Sequence, residues 1–344
     1  LAGGDDDLNW IIGGYYSSDE MDEYYHYFMS DSVYGFGSIP WGVGLFAATP
    51  ILELDTKQKQ ETESLAVFGH VEWRFADAWR LTVGARYTSE ERDWSGCTFV
   101  ADDGTLAAFL NANFGSSLGV GDCGTIDDDP NSPAFIFAVI GTPNVNDAFH
   151  VYSDTIDTDR LMGKVTLDYA VNDDVLLYGT VSNGFKSGGF NGANSNTTLQ
   201  LHPIEEEVLT AYEVGVKATL LDNTMQLNAA TFFYDYQDKQ ETDAHVAFVG
   251  NISGLTNAPE SEIKGIELDM LWLPGNGWDV RFNIAWLDSE VTEWMAVDTA
   301  ASAWPDIVYY DASGNKLAMS PDISYTASVS KGWQIDNGSV IDIT

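Results

Sequence analysis

The chain has 344 residues, an apolar fraction of 44% and a net charge of −38. Because 53 acidic residues stand against only 15 basic ones, the sequence excludes nucleic acid and other polyanionic partners, which require a basic surface. No run of about 18 apolar residues is present, which excludes transmembrane helices.

Much of the chain alternates between apolar and polar residues, which is the period of a β-strand whose two faces meet different surroundings. The first such strand begins at Leu8, and the clearest covers residues 63–75, where the apolar face carries Leu65, Val67, Val71 and Trp73. Comparable patterns lie at 80–88, 160–169, 175–186, 212–219, 266–272, 278–286 and 323–330. With the partner strand that follows the turn at 221–223 and a last strand begun at Ser339, the sequence predicts eleven strands and no helix.

The predicted connections between the strands are short at one end and long at the other. Short turns are predicted at 75–80, 171–174, 221–223, 274–277 and 335–338, and long loops at 18–60, 94–155, 187–206, 238–260 and 289–318. Outer-membrane barrels have this one-sided arrangement, whereas a soluble β-sandwich has long loops at both ends. The pattern therefore favours an antiparallel transmembrane β-barrel, and a β-sandwich remains the alternative.

The segment LLYGTVSNGFKSGGFNG at residues 176–192 begins as a strand and ends in a glycine-rich stretch. We expect Gly184, Gly188, Gly189 and Gly192 to let the chain bend, because glycine tolerates backbone angles that other residues avoid. A phosphate-binding loop is excluded, since such a loop requires a helix N-terminus and no helix pattern follows these glycines.

The only two cysteines, Cys97 and Cys123, lie in one polar, glycine-rich segment. No histidine or second cysteine pair nearby offers the spacing of a metal site. The sequence therefore predicts a disulfide in an oxidising compartment, with two free thiols as the alternative.

The sequence contains few motifs of catalytic or metal-binding residues. The chain has five histidines, and no Ser-His-Asp arrangement, nucleophile elbow or HExxH motif is present, so neither an enzyme nor a bound cofactor is expected. The acidic triplet Asp127, Asp128 and Asp129 has the right oxygen ligands for Ca²⁺, but a solvated charge run is the preferred interpretation and no metal site is predicted.

Candidate ligand-binding residues are aromatic side chains in the long loops, because rigid rings bind other rings or sugars at low entropy cost. The first group lies within residues 21–46 and consists of Tyr24, Tyr25, Tyr27, Tyr34 and Trp41. The second group consists of Trp294, Trp304 and Tyr309. Some residues of the first group are alternatively part of a strand.

Six stretches, in this order along the chain, resemble the barrel domain of TonB-dependent outer-membrane receptors. They are LNWIIGGYY (8–16), AVFGHVEWRFADAWRLTVGARYTSEERDW (66–94), the glycine-rich segment at 176–192, AYEVGVKATLLDNTMQLNAATFFYDYQDKQ (211–240), IKGIELDMLWLPGNGWDVRFNIAWLD (263–288) and GNKLAMSPDISYTASVS (314–330). The resemblance covers almost the whole chain, and its specificity comes from all six stretches occurring in the family's order.

The resemblance implies a receptor in the bacterial outer membrane that takes up a ferric siderophore, haem, cobalamin or a glycan with energy from TonB. Residues 1–344 are expected to form about half of the family's usual 22-stranded barrel, with neither the plug that contacts TonB nor the C-terminal strand. The polar faces of the strands would line the lumen. Two alternatives remain: a passive porin or adhesin, and a secreted glycan-binding or glycan-cleaving β-sandwich.

Overall fold

The computed structural model describes residues 1–28, 51–192, 195–247, 250–302, 306–334 and 340–343. These ranges contain fourteen β-strands. The strands are β1 (Ala2–Gly4), β2 (Leu8–Phe28), β3 (Glu53–Ala76), β4 (Trp79–Val100), β5 (Tyr152–Asn172), β6 (Val175–Lys186), β7 (Glu207–Leu220), β8 (Met225–Ala247), β9 (Gly250–Gly275), β10 (Trp278–Glu293), β11 (Met295–Val297), β12 (Tyr309–Asp311), β13 (Ile323–Gln334) and β14 (Val340–Ile343).

Twelve of these strands form one continuous sheet in the order β1 to β10, β13, β14, and every neighbouring pair is antiparallel. Strands β11 and β12 form a separate two-stranded sheet. The predicted all-β, antiparallel architecture is therefore confirmed. A β-sandwich is rejected, because the long strands of the described ranges belong to one sheet and not to two packed sheets.

The short turns lie where the sequence predicts them, within the described ranges. Leu221, Asp222 and Asn223 have φ values of 54°, 54° and 66° between β7 and β8, and Asn276 has a φ of 52° between β9 and β10. These left-handed conformations reverse the chain within a few residues. The turn predicted at 335–338 lies outside the described residues.

The strands continue far beyond the ends that alternation predicts. The predicted loop at 238–260 is wrong in most of its length, because β8 runs to Ala247 and pairs with β9 from Gly250. Likewise, β2 and β3 remain paired as far as Phe28 and Glu53. The two faces of these extensions are both largely polar, so the apolar–polar period disappears although the backbone hydrogen bonds continue.

The prediction of no helix is also wrong. The segment between β4 and β5 contains α1 (Thr105–Phe114), the single-turn α2 (Ile136–Val139) and a 3-10 turn at Val145–Ala148, and a second 3-10 turn lies at Leu199–Leu201. Residues 101–151, which we call the cap segment, hold a buried core that includes Leu106, Leu110, Phe114 and Ile136. Within the described residues, no helix is long and apolar enough to cross a bilayer.

The sheet has two chemically different faces, as predicted. The outer face carries exposed apolar side chains, of which Val83, Tyr87 and Leu161 are 41%, 44% and 67% exposed. The inner face of β4 carries Thr82 and Thr88, which are buried. Beyond Tyr87 the outer-face positions of β4 become Ser89, Glu91 and Asp93. The outer face therefore carries an apolar band with two edges. One edge lies just beyond Tyr87, and the other lies at the short turns.

Candidate functional site

The inner face of the sheet is lined by paired polar side chains. Arg80 Nη2 lies 2.7 Å from Asp168 Oδ2, and the Tyr178 hydroxyl donates to Glu213 Oε1 at 2.6 Å. They contribute to a groove of about 450 Å³. The basic and acidic residues predicted to line the lumen lie on this face; they are Glu72, Arg74, Arg86, Glu90, Lys164, Asp168, Glu213, Lys217, Glu267, Asp269 and Arg281.

An aromatic cluster occupies the same face beyond the apolar band. The Trp94 ring is 3% exposed and stacks on Phe190, with centroids 5.2 Å apart and planes inclined by 12°. Its Nε1 donates to Gln58 Oε1 at 3.3 Å. Tyr152 lies 6.3 Å from the Trp94 ring and 5.7 Å from the His202 ring. We call Trp94, Phe190, Tyr152 and His202 the inner aromatic cluster.

Close backbone approach brings residues 187–192 and 195–206, which we call the loop at 187–206, onto this face. A side chain at Gly188 would place its Cβ 2.4 Å from the Ile204 carbonyl oxygen, so only glycine fits there. Arg92 holds the loop by donating from Nη1 to the Gly188 carbonyl at 2.9 Å, while its Nη2 bonds Glu90 at 2.8 Å. The expectation that these glycines adopt backbone angles closed to other residues is wrong, because Gly184, Gly188, Gly189 and Gly192 do not have positive φ. Gly188 is required instead by the close approach of the Ile204 carbonyl.

The cap segment pairs with the end of β4 beyond Gly96, where the pairing of β4 with β5 stops. Gly124 N donates to the Thr98 carbonyl at 2.7 Å, and Thr98 N donates to Thr125 Oγ1 at 2.9 Å. The Sγ atoms of Cys97 and Cys123 are bonded at the same place, with Cα atoms 6.0 Å apart. The disulfide therefore joins the base of the cap segment to the end of β4.

The acidic triplet is not a solvated charge run. Asp127 and Asp128 are buried at 2% and 6% exposure, and only Asp129 is half-buried. The sequence interpretation is wrong here because the partners that bury these carboxylates come from other loops. Within the described residues, no group of three or more His, Cys, Asp or Glu side chains is arranged to hold a metal ion.

The predicted ligand-binding residues are divided among different surfaces. Tyr24 lies on the outer face of β2 and donates to Asp55 at 2.8 Å, whereas Tyr25 and Tyr27 lie on its inner face. Trp294 directly follows β10, which stands eight positions from β2 in the large sheet, and Tyr309 lies in the separate β11–β12 sheet. Tyr34, Trp41 and Trp304 lie outside the described residues.

Two of the outer-face side chains near the tip of β2 share one carboxylate. His26 Nδ1 lies 2.6 Å from Asp55 Oδ1, the same atom that accepts the Tyr24 hydroxyl. The hydrogen bond with Asp55 raises the pKa of His26 and also raises the pKa of Tyr24. These contacts hold the paired ends of β2 and β3 together.

The inner aromatic cluster was missed by sequence reasoning. Its members come from β4, β5 and the loop at 187–206, so no short motif contains them. The alternation along β4 does indicate one member of the cluster. Trp94 continues the series of Thr82, Arg86 and Glu90, which places it on the inner face.

Replacing Trp94 with Ala is expected to release the loop at 187–206, because the stacking partner of Phe190 and the hydrogen bond to Gln58 both disappear. Hydrogen exchange of peptides covering 187–192 in the full-length protein should increase several-fold. Trp286→Ala is the matched control, since Trp286 is 46% exposed on the outer face. Equal effects of the two substitutions would contradict the packing described for Trp94.

Comparisons with known proteins agree with this architecture. The sequence profile described as "TonB dependent receptor-like, beta-barrel" matches residues 2–341. The pesticin receptor of Yersinia pestis is 30% identical over 128 residues, which cover 37% of this chain and 18% of that protein.

Solved structures share the fold at low sequence identity. The ferric yersiniabactin uptake receptor FyuA from Yersinia pestis superposes with a TM-score of 0.62 at 16% identity, covering 97% of this chain and 39% of that one. The siderophore receptor PiuA from Acinetobacter baumannii has a TM-score of 0.59 at 15% identity, covering 97% and 42%. The chain thus spans about two fifths of the solved receptors that it resembles.

Proposed function

The chain belongs to the TonB-dependent receptor-like β-barrel family, and we propose from this membership that the whole protein actively takes up a scarce, bulky nutrient. The resemblance seen in the sequence is confirmed. Members of this family are transport receptors of the Gram-negative outer membrane, so the chain forms part of an outer-membrane β-barrel.

The proposed ligand is a ferric siderophore, and the proposed energy source is TonB. The ligand class is supported by the solved relatives, whose names describe a ferric yersiniabactin uptake receptor and a siderophore receptor. The same family membership supports coupling to TonB, through a plug region outside this chain. Haem, cobalamin and glycans are the other ligands that the resemblance implies.

The observation that carries this proposal is the contrast between the two faces of the sheet. An apolar outer band suits lipid, and the polar inner face suits a hydrated lumen through which a large polar ligand passes. The inner aromatic cluster lies at the outer end of that lumen, together with Tyr25 and Tyr27 of β2. We assign first contact with the ligand to this end, with Tyr24, Trp294 and Tyr309 as further candidates on neighbouring surfaces.

Uptake of radioactive iron tests the proposal. The gene for the full-length receptor is deleted in its host, and ferric siderophores of hydroxamate, catecholate and mixed type are supplied under iron limitation. We expect uptake of at least one complex to fall to background in the deletion strain, and to fall equally when TonB is removed from an otherwise normal strain. Uptake that persists without TonB would indicate passive diffusion and reject the proposal.

A further inference from the structure

Lys331 lies on the outer face of β13, at the end of the sheet where the short turns lie. Between β10 and β13 the outer-face pairs are apolar as far as Val280 with Val329, and the next pair toward the turns is Trp278 with Lys331. Val329 and Trp278 are 53% and 45% exposed on that face. The Lys331 ammonium group therefore lies at the edge of the apolar band, where lipid headgroups begin.

Two tryptophan rings flank the Lys331 ammonium group. Its Nζ lies 4.8 Å from the centroid of the Trp278 ring and 5.9 Å from the centroid of the Trp333 ring, within the range of cation–π attraction. Trp333 is 45% exposed, like Trp278. Among the described residues, neither indole N–H has a hydrogen-bond acceptor, so both can donate to an external group.

The turn between β9 and β10 holds this cluster in place. Lys331 Nζ donates to the Asn276 carbonyl, which uses one of the three N–H groups of the ammonium. Gly332 N donates to the Gly277 carbonyl at 2.8 Å. Gly277 has a φ of 80°, and a Cβ at this position would collide with the Gly332 carbonyl, so the turn requires glycine here. The lysine is thus fixed at the rim of the sheet, with its other N–H groups available to an anion.

No carboxylate neutralises Lys331. In the described ranges no Asp or Glu oxygen lies within 4 Å of its Nζ, although the chain has 53 acidic residues. Asp279, on the neighbouring strand β10, alternates onto the inner face and contacts Arg281 at 3.0 Å. By contrast Lys264, an outer-face lysine near the long-loop end of the sheet, contacts Glu262 at 3.1 Å. Lys331 therefore keeps an uncompensated positive charge.

This lysine is an exception among the basic residues. All 15 Lys and Arg residues lie in the described ranges, and Lys331 is the only one on the outer face near the short turns. The other basic residues near these turns lie on the inner face; they are Arg74, Arg80, Lys217 and Arg281.

A second outer-face aromatic cluster at the same end of the sheet has no such lysine. Its rings contact one another in sequence, with centroids 5.5, 6.4 and 4.6 Å apart; they belong to Trp73, Phe75, Trp79 and Tyr169. Within the described residues, no Lys or Arg lies over any of these rings. An aromatic girdle at this rim therefore does not itself require a cation.

We propose that Lys331, Trp278 and Trp333 bind the headgroup of an anionic phospholipid in the periplasmic leaflet of the membrane. Its phosphate accepts hydrogen bonds from the ammonium and indole N–H groups, and its acyl chains lie beside Val280 and Val329. The net charge of −38 repels anionic lipid elsewhere, so the charge of Lys331 selects this position. A zwitterionic headgroup is disfavoured, because its own ammonium group finds no carboxylate there. The site is independent of the ligand that the receptor takes up.

Lipid binding to the purified full-length receptor tests this site. Native mass spectrometry in detergent counts the phosphatidylglycerol molecules retained, with phosphatidylethanolamine as the zwitterionic comparison. Lys331→Gln should weaken one phosphatidylglycerol site about fivefold, which is the effect of one lysine near a charged lipid surface, and should leave phosphatidylethanolamine binding unchanged. Lys331→Arg should keep the preference because it keeps the charge. Phosphatidylglycerol with a photoreactive headgroup should label peptides that contain Trp278 or Trp333.

Lys264→Gln is the matched control. It also removes an outer-face lysine that lies over an aromatic ring, that of Phe233 at 5.8 Å, but one that Glu262 already neutralises. This variant should bind phosphatidylglycerol as the wild type does. The heat-dependent shift of the barrel on gels shows whether each variant is folded. Where Lys331→Gln does not fold, Trp333→Phe keeps the ring, removes the indole N–H and should also weaken binding.

Three results would overturn the proposal. The first is equal phosphatidylglycerol binding by the wild type and a folded Lys331→Gln or Trp333→Phe variant. The second is equal affinity of the wild type for the two lipids. The third is displacement of the lipid by soluble glycerol phosphate, which would show that the site takes a free phosphate group and not a lipid.

Discussion

Replacing Val165 with Arg is expected to lower the free energy of unfolding of the membrane-embedded receptor by about 2–4 kcal/mol. Val165 lies on the outer face of β5, midway between Leu161 and Tyr169, and is 48% exposed. Its partners in the sheet are Val83 and Val181, which are also exposed on that face. A guanidinium at this depth would be placed in hydrocarbon, where its charge is poorly solvated.

The neighbouring residue provides a matched control. Thr166 lies on the opposite, inner face, between Lys164 and Asp168 in sequence, and its hydroxyl is 2.9 Å from that of Thr180. Thr166→Arg places the same charge in a hydrated lumen and should cost less than about 1 kcal/mol. Urea unfolding of the full-length receptor in lipid vesicles compares the two. Equal losses of stability would show that the faces have been assigned wrongly.

Removing the disulfide between Cys97 and Cys123 is expected to destabilise the cap segment by about 3 kcal/mol, because the bond restricts the unfolded segment. The two cysteines are 26 residues apart in sequence, and Cys97 is fully buried. The loss should be local, since the strands below the disulfide keep their backbone hydrogen bonds. The variant to examine is Cys97→Ser with Cys123→Ser in the full-length receptor.

Two measurements check this prediction. Limited proteolysis should cleave the cap segment of the double serine variant much faster, while the strands β4 and β5 remain intact. Mass spectrometry of the wild-type protein without reductant should give one cross-linked peptide pair containing both cysteines. Two free thiols in the wild type, or equal proteolysis of both proteins, would contradict the structural role given to the bond.

Alternation in the sequence predicts the sheet only where the two faces differ in polarity. It located the turns at 221–223 and 274–277, because apolar residues such as Val214 and Ile266 alternate with polar ones up to those points. It failed at 238–260, where β8 and β9 continue with largely polar residues on both faces. Beyond the apolar band the length of a strand depends on backbone hydrogen bonds to its neighbour, and these do not require an alternating pattern of apolar and polar residues.

The helix α1 was not predicted, although the sequence contains a helical pattern at this position. Leu106, Leu110 and Phe114 recur at every fourth position, which is the spacing of one helix face, and all three are buried. The burial of Asp127 and Asp128 had no such signal. Their partner Thr198 is about 70 residues away along the chain, so only the folded loops reveal the contact.

The strands extend beyond the apolar band and form a collar of paired strands above the membrane surface. From Leu65 to Glu53, β3 rises about 3.3 Å per residue, which places its end roughly 30 Å above the edge of the band at a 40° tilt. The outer face of this collar carries acidic residues such as Glu61, Glu63 and Glu91. Glu63 and Glu91 lie roughly 5 Å beyond the edge of the band, at the height of the lipid phosphate groups, and the repulsion between these like charges opposes deeper insertion of the barrel.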